Sequence, residues 1–178
     1  MYLLGFKRLF IFSIVISILL NSSNVYSQFV GSGVDGAKTL TSGAYDFVTD
    51  LGGAFTDVTV NILSTATTFS VTNGNIVAAN DMVVILQMQG AAAGTFSVKK
   101  VVSKTATTIT IGGGETVGKA YAISDKIQVI RAPQLTSVDI QAPATLSSTA
   151  WNGTTGGVIW FYANGTVTIS GAINQNTK

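Results

Sequence analysis

Beyond its first 27 residues the chain carries 23 Thr, 17 Val and 12 Ile against only 6 Leu. β-Branched side chains are stiff at χ1 and fit a pleated surface better than a helix, so this ratio predicts an all-β protein. The 18 glycines of the same stretch, spread between the β-branched runs, supply the turns and tight corners that many short strands require. Among its 178 residues there is no His and no Cys. A Ser-His-Asp triad, a Cys nucleophile, an imidazole or thiolate zinc site and a disulfide framework are therefore excluded. Carboxylate chemistry, a Ser-Lys pair and a hard-metal site of oxygen ligands are what remain.

The opening segment has its own grammar. Lys7 and Arg8 precede the apolar run from Leu9 to Leu20, and a polar stretch from Asn21 to Ser27 follows. Cations, an apolar core and a small-residue exit are the order of a secretory signal peptide, and the run is shorter than the roughly 20 residues of a membrane span. Val25 and Ser27 fit the −3 and −1 positions of a cleavage site, so the mature chain is expected to begin at Gln28. Removing residues 1–27 takes Lys7 and Arg8 away and leaves 8 basic and 8 acidic side chains. A neutral, sparsely charged chain argues against nucleic acid, whose binding rests mainly on Lys and Arg neutralising phosphates.

Along the mature chain, residues 28–55 are rich in Gly, Ser and Ala with scattered aromatics and read as an extended N-terminal arm. Residues 56–133 read as a small β-barrel or sandwich. From Asp57, the residues Val58, Val60 and Ile62 alternate with polar neighbours, and further strands are expected at 67–72, 82–88, 96–102, 107–111 and 126–131. The run from Met82 to Met88 does not alternate, so both of its faces should be covered, as in a central strand. Residues 134–178 are glycine-rich and read as a hairpin or the start of a β-solenoid. Asn164-Gly165 suits either a type I′ hairpin turn or a corner between successive turns of a parallel β-helix. An unpaired last strand around 166–173 would be an aggregation-prone edge.

Candidate chemistry is thin. The acidic residues Asp35, Asp46, Asp50, Asp57, Asp81, Glu115, Asp125 and Asp139 lie mostly beside Gly, Asn, Thr or Ser, where Asp favours turns, so no catalytic pair is assigned. Asn73-Gly74-Asn75 and Asn80-Asp81 offer oxygen ligands for calcium, but without an Asp-x-Asp-x-Asp spacing no metal site is assigned. Lys99, Lys100 and Lys104 form a basic cluster expected to be a solvated strand edge. Trp151, Trp160 and Tyr162 form a candidate carbohydrate platform, since exposed aromatics on a β face stack on sugar rings. Core packing competes for them, because Trp160 and Tyr162 alternate with Phe161. An outer-membrane barrel would need alternating strands of about 10 residues with aromatic girdles, which the chain does not offer.

Four stretches carry a resemblance: residues 81–90 (DMVVILQMQG), 126–133 (KIQVIRAP), 150–161 (AWNGTTGGVIWF) and 165–173 (GTVTISGAI). Together they resemble the N-terminal region of large secreted, adhesin-like or gliding-associated surface proteins of Bacteroidota, many of them type IX secretion cargo. The Trp-Asn-Gly-Thr-Thr-Gly-Gly segment is the most specific part. The resemblance implies export, a β-helix-like body after residue 173 and no catalytic residues. Such a body and a C-terminal sorting domain are not seen, so the chain is expected to be a fragment of a longer reading frame or a short relative exported by the general route.

The resulting expectation is a secreted, non-enzymatic structural or adhesion protein of the cell surface or extracellular space. It would use no cofactor, and its partners would be surface glycans or other cell-envelope proteins. The alternative is an accessory module of a secreted carbohydrate-active enzyme whose catalytic part lies beyond the chain end.

Overall fold

The run Met82-Val-Val-Ile-Leu-Gln sits at the centre of the molecule. The computed structural model describes residues 31–175, so the leader and the Gln28 cleavage site lie outside the described residues. In chain order the strands are β1 (Ala37–Leu40), β2 (Ala44–Asp46), β3 (Ala54–Asp57), β4 (Thr68–Ser70), β5 (Met82–Gln87), β6 (Phe96–Lys104) and β7 (Thr108–Ile111). They continue with β8 (Ile127–Ala132), β9 (Gln134–Leu135), β10 (Ser137–Ile140), β11 (Thr145–Ser147), β12 (Tyr162–Ala163), β13 (Val167–Ile169) and β14 (Ala172–Ile173). Apart from two short 3-10 turns, Gly74–Ile76 and Ile123–Asp125, the described residues hold no helix. The protein is all-β.

β3 to β8 form one antiparallel sheet in the order β3-β8-β5-β6-β7-β4, with β5 and β8 inside it. Side chains alternate across a strand, and here each face of β5 and β8 meets a different core. Val83 and Ile85 of β5, with Ile127 and Val129 of β8, enter a core shared with Phe69, Val101, Ile109, Ile111 and Tyr121. Met82 and Val84, with Ile130 and Ala132, enter a second core shared with Leu40, Phe47, Leu135, Ile140 and Leu146. That double demand is why the β5 run shows no polar alternation. The sheet curls around the first core, helped by a register shift in β6 between Val101 and Ser103; such bulges increase local twist. Its two edges meet at an antiparallel bridge between Val58 and Val71, which closes the curl into a small barrel. Inside, burial raises the pKa of Tyr121 above the ordinary phenol value against the opposing effect of its 2.8 Å hydrogen bond to Ser97.

The second core belongs to a parallel β-solenoid. Three short parallel sheets, β1-β10-β13, β2-β11-β14 and β9-β12, stack successive coils of chain. Their register runs straight through: Leu40 pairs with Ile140 and Ile140 with Ile169, while Tyr45 pairs with Leu146 and Leu146 with Ile173. Asn164-Gly165 is thus a corner between two faces, because β12 and β13 each pair with the preceding coil and not with one another.

The residues read as an N-terminal arm, 28–55, supply β1 and β2 of the first coil and the first half of β3 of the barrel. The chain leaves the stack after β2, builds the barrel from β3 to β8, and returns at β9 to lay the second coil directly against the first. Local differences from the sequence reading have local causes. Val60 does not face a core with Val58 and Ile62, because β3 ends at Asp57 and Val60 lies in a bend at the surface. The lysine cluster lies where β6 passes from one partner to the other: Lys99 and Lys100 have β5 as their strand partner and Lys104 has β7, with Lys100 and Lys104 exposed. Lys99 pairs with Glu115 at 3.4 Å and Lys104 donates to Asn75.

Candidate functional site

Polar side chains concentrate where the barrel meets the solenoid. Arg131, at the end of β8, donates from Nε to Asp81 Oδ2 at 2.9 Å and from Nη2 to Asp81 Oδ1 at 3.1 Å. Its Nη2 also reaches Asp35 Oδ1 at 2.7 Å, and Nη1 reaches the Gly52 carbonyl at 2.6 Å. The other Asp35 oxygen accepts from the Gln134 amide at 2.7 Å. Burial alone would lower the guanidinium pKa, but hydrogen bonds and charge from Asp81 and Asp35 more than offset it and hold it above the ordinary value. One planar fork therefore ties the turn before the first coil, the return into the second coil and the segments at Gly52 and Asp81 together. Two of the eight acidic residues are brought together here, as partners of Arg131 in a structural ion-pair cluster. Nothing in the local sequence around Arg131 announces this role.

Earlier on the same strand, Gln128 of β8 is fully buried. Its Oε1 accepts from the Gly156 amide at 2.9 Å and its Nε2 donates to the Gly156 carbonyl at 3.2 Å. That pair clamps the Trp-Asn-Gly-Thr-Thr-Gly-Gly loop, which leaves the solenoid between β11 and β12, onto the barrel. Within the loop, Asn152 Oδ1 accepts from the amides of Thr154 and Thr155, both at 2.9 Å. Gly156 has φ +103°, and a Cβ there would run into the carbonyls of Ala150 and Thr149, so only glycine fits.

The clamped loop forms one wall of an open groove of about 280 Å³, lined by Asp57, Val58, Thr59, Ile123, Lys126, Ile127 and Thr154. Thr154 comes from the loop, and Asp57 and Thr59 from the end of β3. Ile123 and Lys126 come from the turn before β8. Lys126 holds φ 51°, a left-handed conformation that costs a non-glycine residue of order 1 kcal/mol. The Asp57 carboxylate and the Lys126 ammonium make no hydrogen bond or ion pair among the described residues. An anion, a cation, the Thr59 hydroxyl and an exposed aliphatic side chain therefore face one concavity, beside the Thr154 hydroxyl, which donates to Asn152 Oδ1 at 2.9 Å.

The aromatic candidates are distributed differently. Trp160 and Tyr162 pack against the second core, and Trp151 is half-buried at the start of the clamped loop. Trp160 meets Phe96 edge-on at a centroid distance of 5.1 Å, and Lys119 Nζ lies 5.6 Å above the Phe96 ring. Phe96, which sequence patterning does not single out, is the aromatic that Trp160 contacts. The oxygen-rich segments considered for calcium are engaged locally: Asn73 caps the first 3-10 turn, Asn75 accepts from Lys104, and Asp81 binds Arg131. Among the described residues no cluster of three or more acidic side chains could hold a metal ion, and no helix is long and apolar enough to cross a membrane.

No protein-family model and no curated protein matches the chain. Among solved structures it is similar to the gp54 tailspike of Acinetobacter baumannii bacteriophage AP22, in complex with A. baumannii capsular saccharide. The identity is 14% and the TM-score 0.40, over 78% of this chain and 27% of that one. It is also similar to the gp61 tailspike of Pseudomonas phage phi297, at 19% identity and TM-score 0.39 over 65% and 22% of the two chains. A third is the gp49 tailspike of Pseudomonas phage LKA1, at 14% identity and TM-score 0.38 over 65% and 23%. The chain spans about a quarter of the length of these structures. The expectation of a non-enzymatic protein is corrected by this finding: the neighbours are tailspikes, one of them solved on a saccharide. That expectation rested on the missing His and Cys, and carboxylate chemistry on polysaccharides needs neither.

Proposed function

We propose that the protein is an exported attachment module of the cell surface or extracellular space, in which the barrel end of a short β-solenoid binds saccharide through the groove between β3 and the clamped loop. The observation that supports this most is the pair of uncommitted charges, Asp57 and Lys126, beside Thr59, Thr154 and the exposed Ile123. A carboxylate and an ammonium are the acceptor and donor that ring hydroxyls need, and an aliphatic wall suits the apolar face of a pyranose. The leader-like order of residues 1–27 supports export, and the resemblance to Bacteroidota surface proteins supports a destination at the cell surface or beyond it.

The test is a screen of the secreted protein against polysaccharides and host-matrix glycans. Binding by the unaltered chain, lost at least tenfold in Asp57→Asn and Lys126→Ala, is the expected result; no binding to any glycan would overturn the proposal. N-terminal sequencing of secreted material is expected to begin at Gln28. A second reading, an accessory module of a secreted carbohydrate-active enzyme, is favoured by the same groove. Release of new reducing ends from a bound polysaccharide by the protein isolated from its source separates the two.

A further inference from the structure

At the end of the barrel that carries the groove, one rung of side chains crosses four strands. Asp57 of β3 pairs with Gln128 of β8, Gln128 with Leu86 of β5, and Leu86 with Phe96 of β6. Residues directly opposite one another on paired strands point to the same face, and three strand spacings put Phe96 about 14 Å from Asp57. The middle of the rung is covered by the clamped loop, which is held on Gln128 at Gly156. Thr154 of that loop lines the groove, and as the chain runs on from it Trp160 meets the Phe96 ring edge-on at 5.1 Å. Phe96 is 42% exposed and Trp160 partly buried. Lys119 Nζ lies 5.6 Å from the Phe96 ring centre and makes no hydrogen bond or ion pair among the described residues. An exposed aromatic with a free cation therefore stands at the opposite end of the rung from Asp57 and Lys126.

We propose that Phe96, Trp160 and Lys119 form a second saccharide subsite, and that the groove and this subsite together hold one stretch of a linear, uronate-containing polysaccharide. The inference rests on the reading of the groove as a saccharide site and extends it. An aromatic pair open to solvent takes the apolar face of a sugar ring, and an ammonium beside it takes a carboxylate. A hexuronate unit offers both on one ring. The separation of about 14 Å exceeds the length of a single sugar ring, so the two sites are filled by different units of one chain. Charge agrees with this: Lys119 and Lys126 stand against the single acid Asp57, and the loop between them is uncharged. Two open, shallow sites that share one ligand reach an affinity well above either alone. Gln128 is the positioning residue between them, since its amide fixes the loop that brings Thr154 to the groove and Trp160 to Phe96.

Titration calorimetry of the secreted chain with galacturonate and mannuronate oligomers tests this, with cellotetraose as the neutral probe. At least one uronate tetrasaccharide is expected to bind about tenfold more tightly than its disaccharide and than cellotetraose. Phe96→Ala and Lys119→Gln should each weaken tetrasaccharide binding by about tenfold, toward the disaccharide value. Asp57→Asn, in contrast, should weaken both lengths. Lys100→Gln removes an exposed cation further along β6 and should change nothing, which separates the subsite from net charge. Lys119 is exposed, so Lys119→Gln keeps the test open should Phe96→Ala fail to fold. Affinity independent of chain length, equal binding of the neutral chain, or equal effects of the two lysine substitutions would overturn the inference and leave the groove as a saccharide site. So would a protein that binds another glycan through Asp57 and neither uronate. Absence of binding to every glycan overturns both readings together.

Discussion

Leu40, Ile140 and Ile169 occupy equivalent positions in three successive coils, and their exposures are 3%, 0% and 50%. All three are aliphatic residues on short parallel strands, so their chemistry does not set the difference. Cover does. The first coil lies beneath the outward face of the barrel, is tied to it by Arg131, and has Asp46 and Asp50 satisfying local amides at 2.7 to 2.8 Å. Among the described residues the last coil has neither lid nor charge. A solenoid coil is buried only by what stacks on it, and the first coil is covered by an inserted antiparallel barrel.

The sharpest way to break the contrast is at the junction. Arg131→Ala would leave Asp81 and Asp35 as partly buried, unpaired carboxylates, and is expected to cost about 3–5 kcal/mol, measured by urea unfolding. Leu40→Ala and Ile169→Ala remove the same kind of side chain from the two ends. The first should cost about 2–5 kcal/mol, as for other buried aliphatics. The second should stay within about 0.5 kcal/mol, and equal losses would mean that the last coil is covered within one chain. Gln128→Ala unclamps the motif loop while leaving the barrel-solenoid contact intact. It is expected to cost about 1–3 kcal/mol and to weaken saccharide binding through Thr154. The smallest effect on stability belongs to Asp57→Asn, expected within about 0.5 kcal/mol because Asp57 has no side-chain partner to lose; its consequence should appear in binding alone.

The strands themselves were written locally. The unalternating β5, the Thr/Val alternation of β13 and the glycine-separated turns are short-range patterns, and they point to an all-β fold with a small barrel or sandwich followed by a hairpin or the start of a solenoid. What local pattern could not carry is pairing across distance. Ala37 meets Ser137, and no property of residues 37–40 distinguishes a strand that pairs with a neighbour from one that waits for a partner past an entire barrel. The same limit hides the functional groups. Gln128 and Gly156 are unremarkable apart and form a clamp together, and Asp57 with Lys126 becomes a groove only once β3 and β8 pair. Trp160 was legible as a large aromatic, but its contact with Phe96 depends on the loop returning over β6.

The insertion of the barrel between the first and second coils also fixes an order of events. Joining Ala37 to Ser137 in an unfolded chain closes a loop of about 100 residues, whereas a folded barrel leaves only the few connecting residues on either side to be ordered. At about 0.6 kcal/mol per doubling of loop length, prior barrel formation lowers that closure cost by about 2 kcal/mol. The N-terminal strands are therefore expected to join the structure after the barrel, although they precede it in the chain. Substitutions in the barrel core would slow the whole chain, and those in β1 would mainly speed its unfolding.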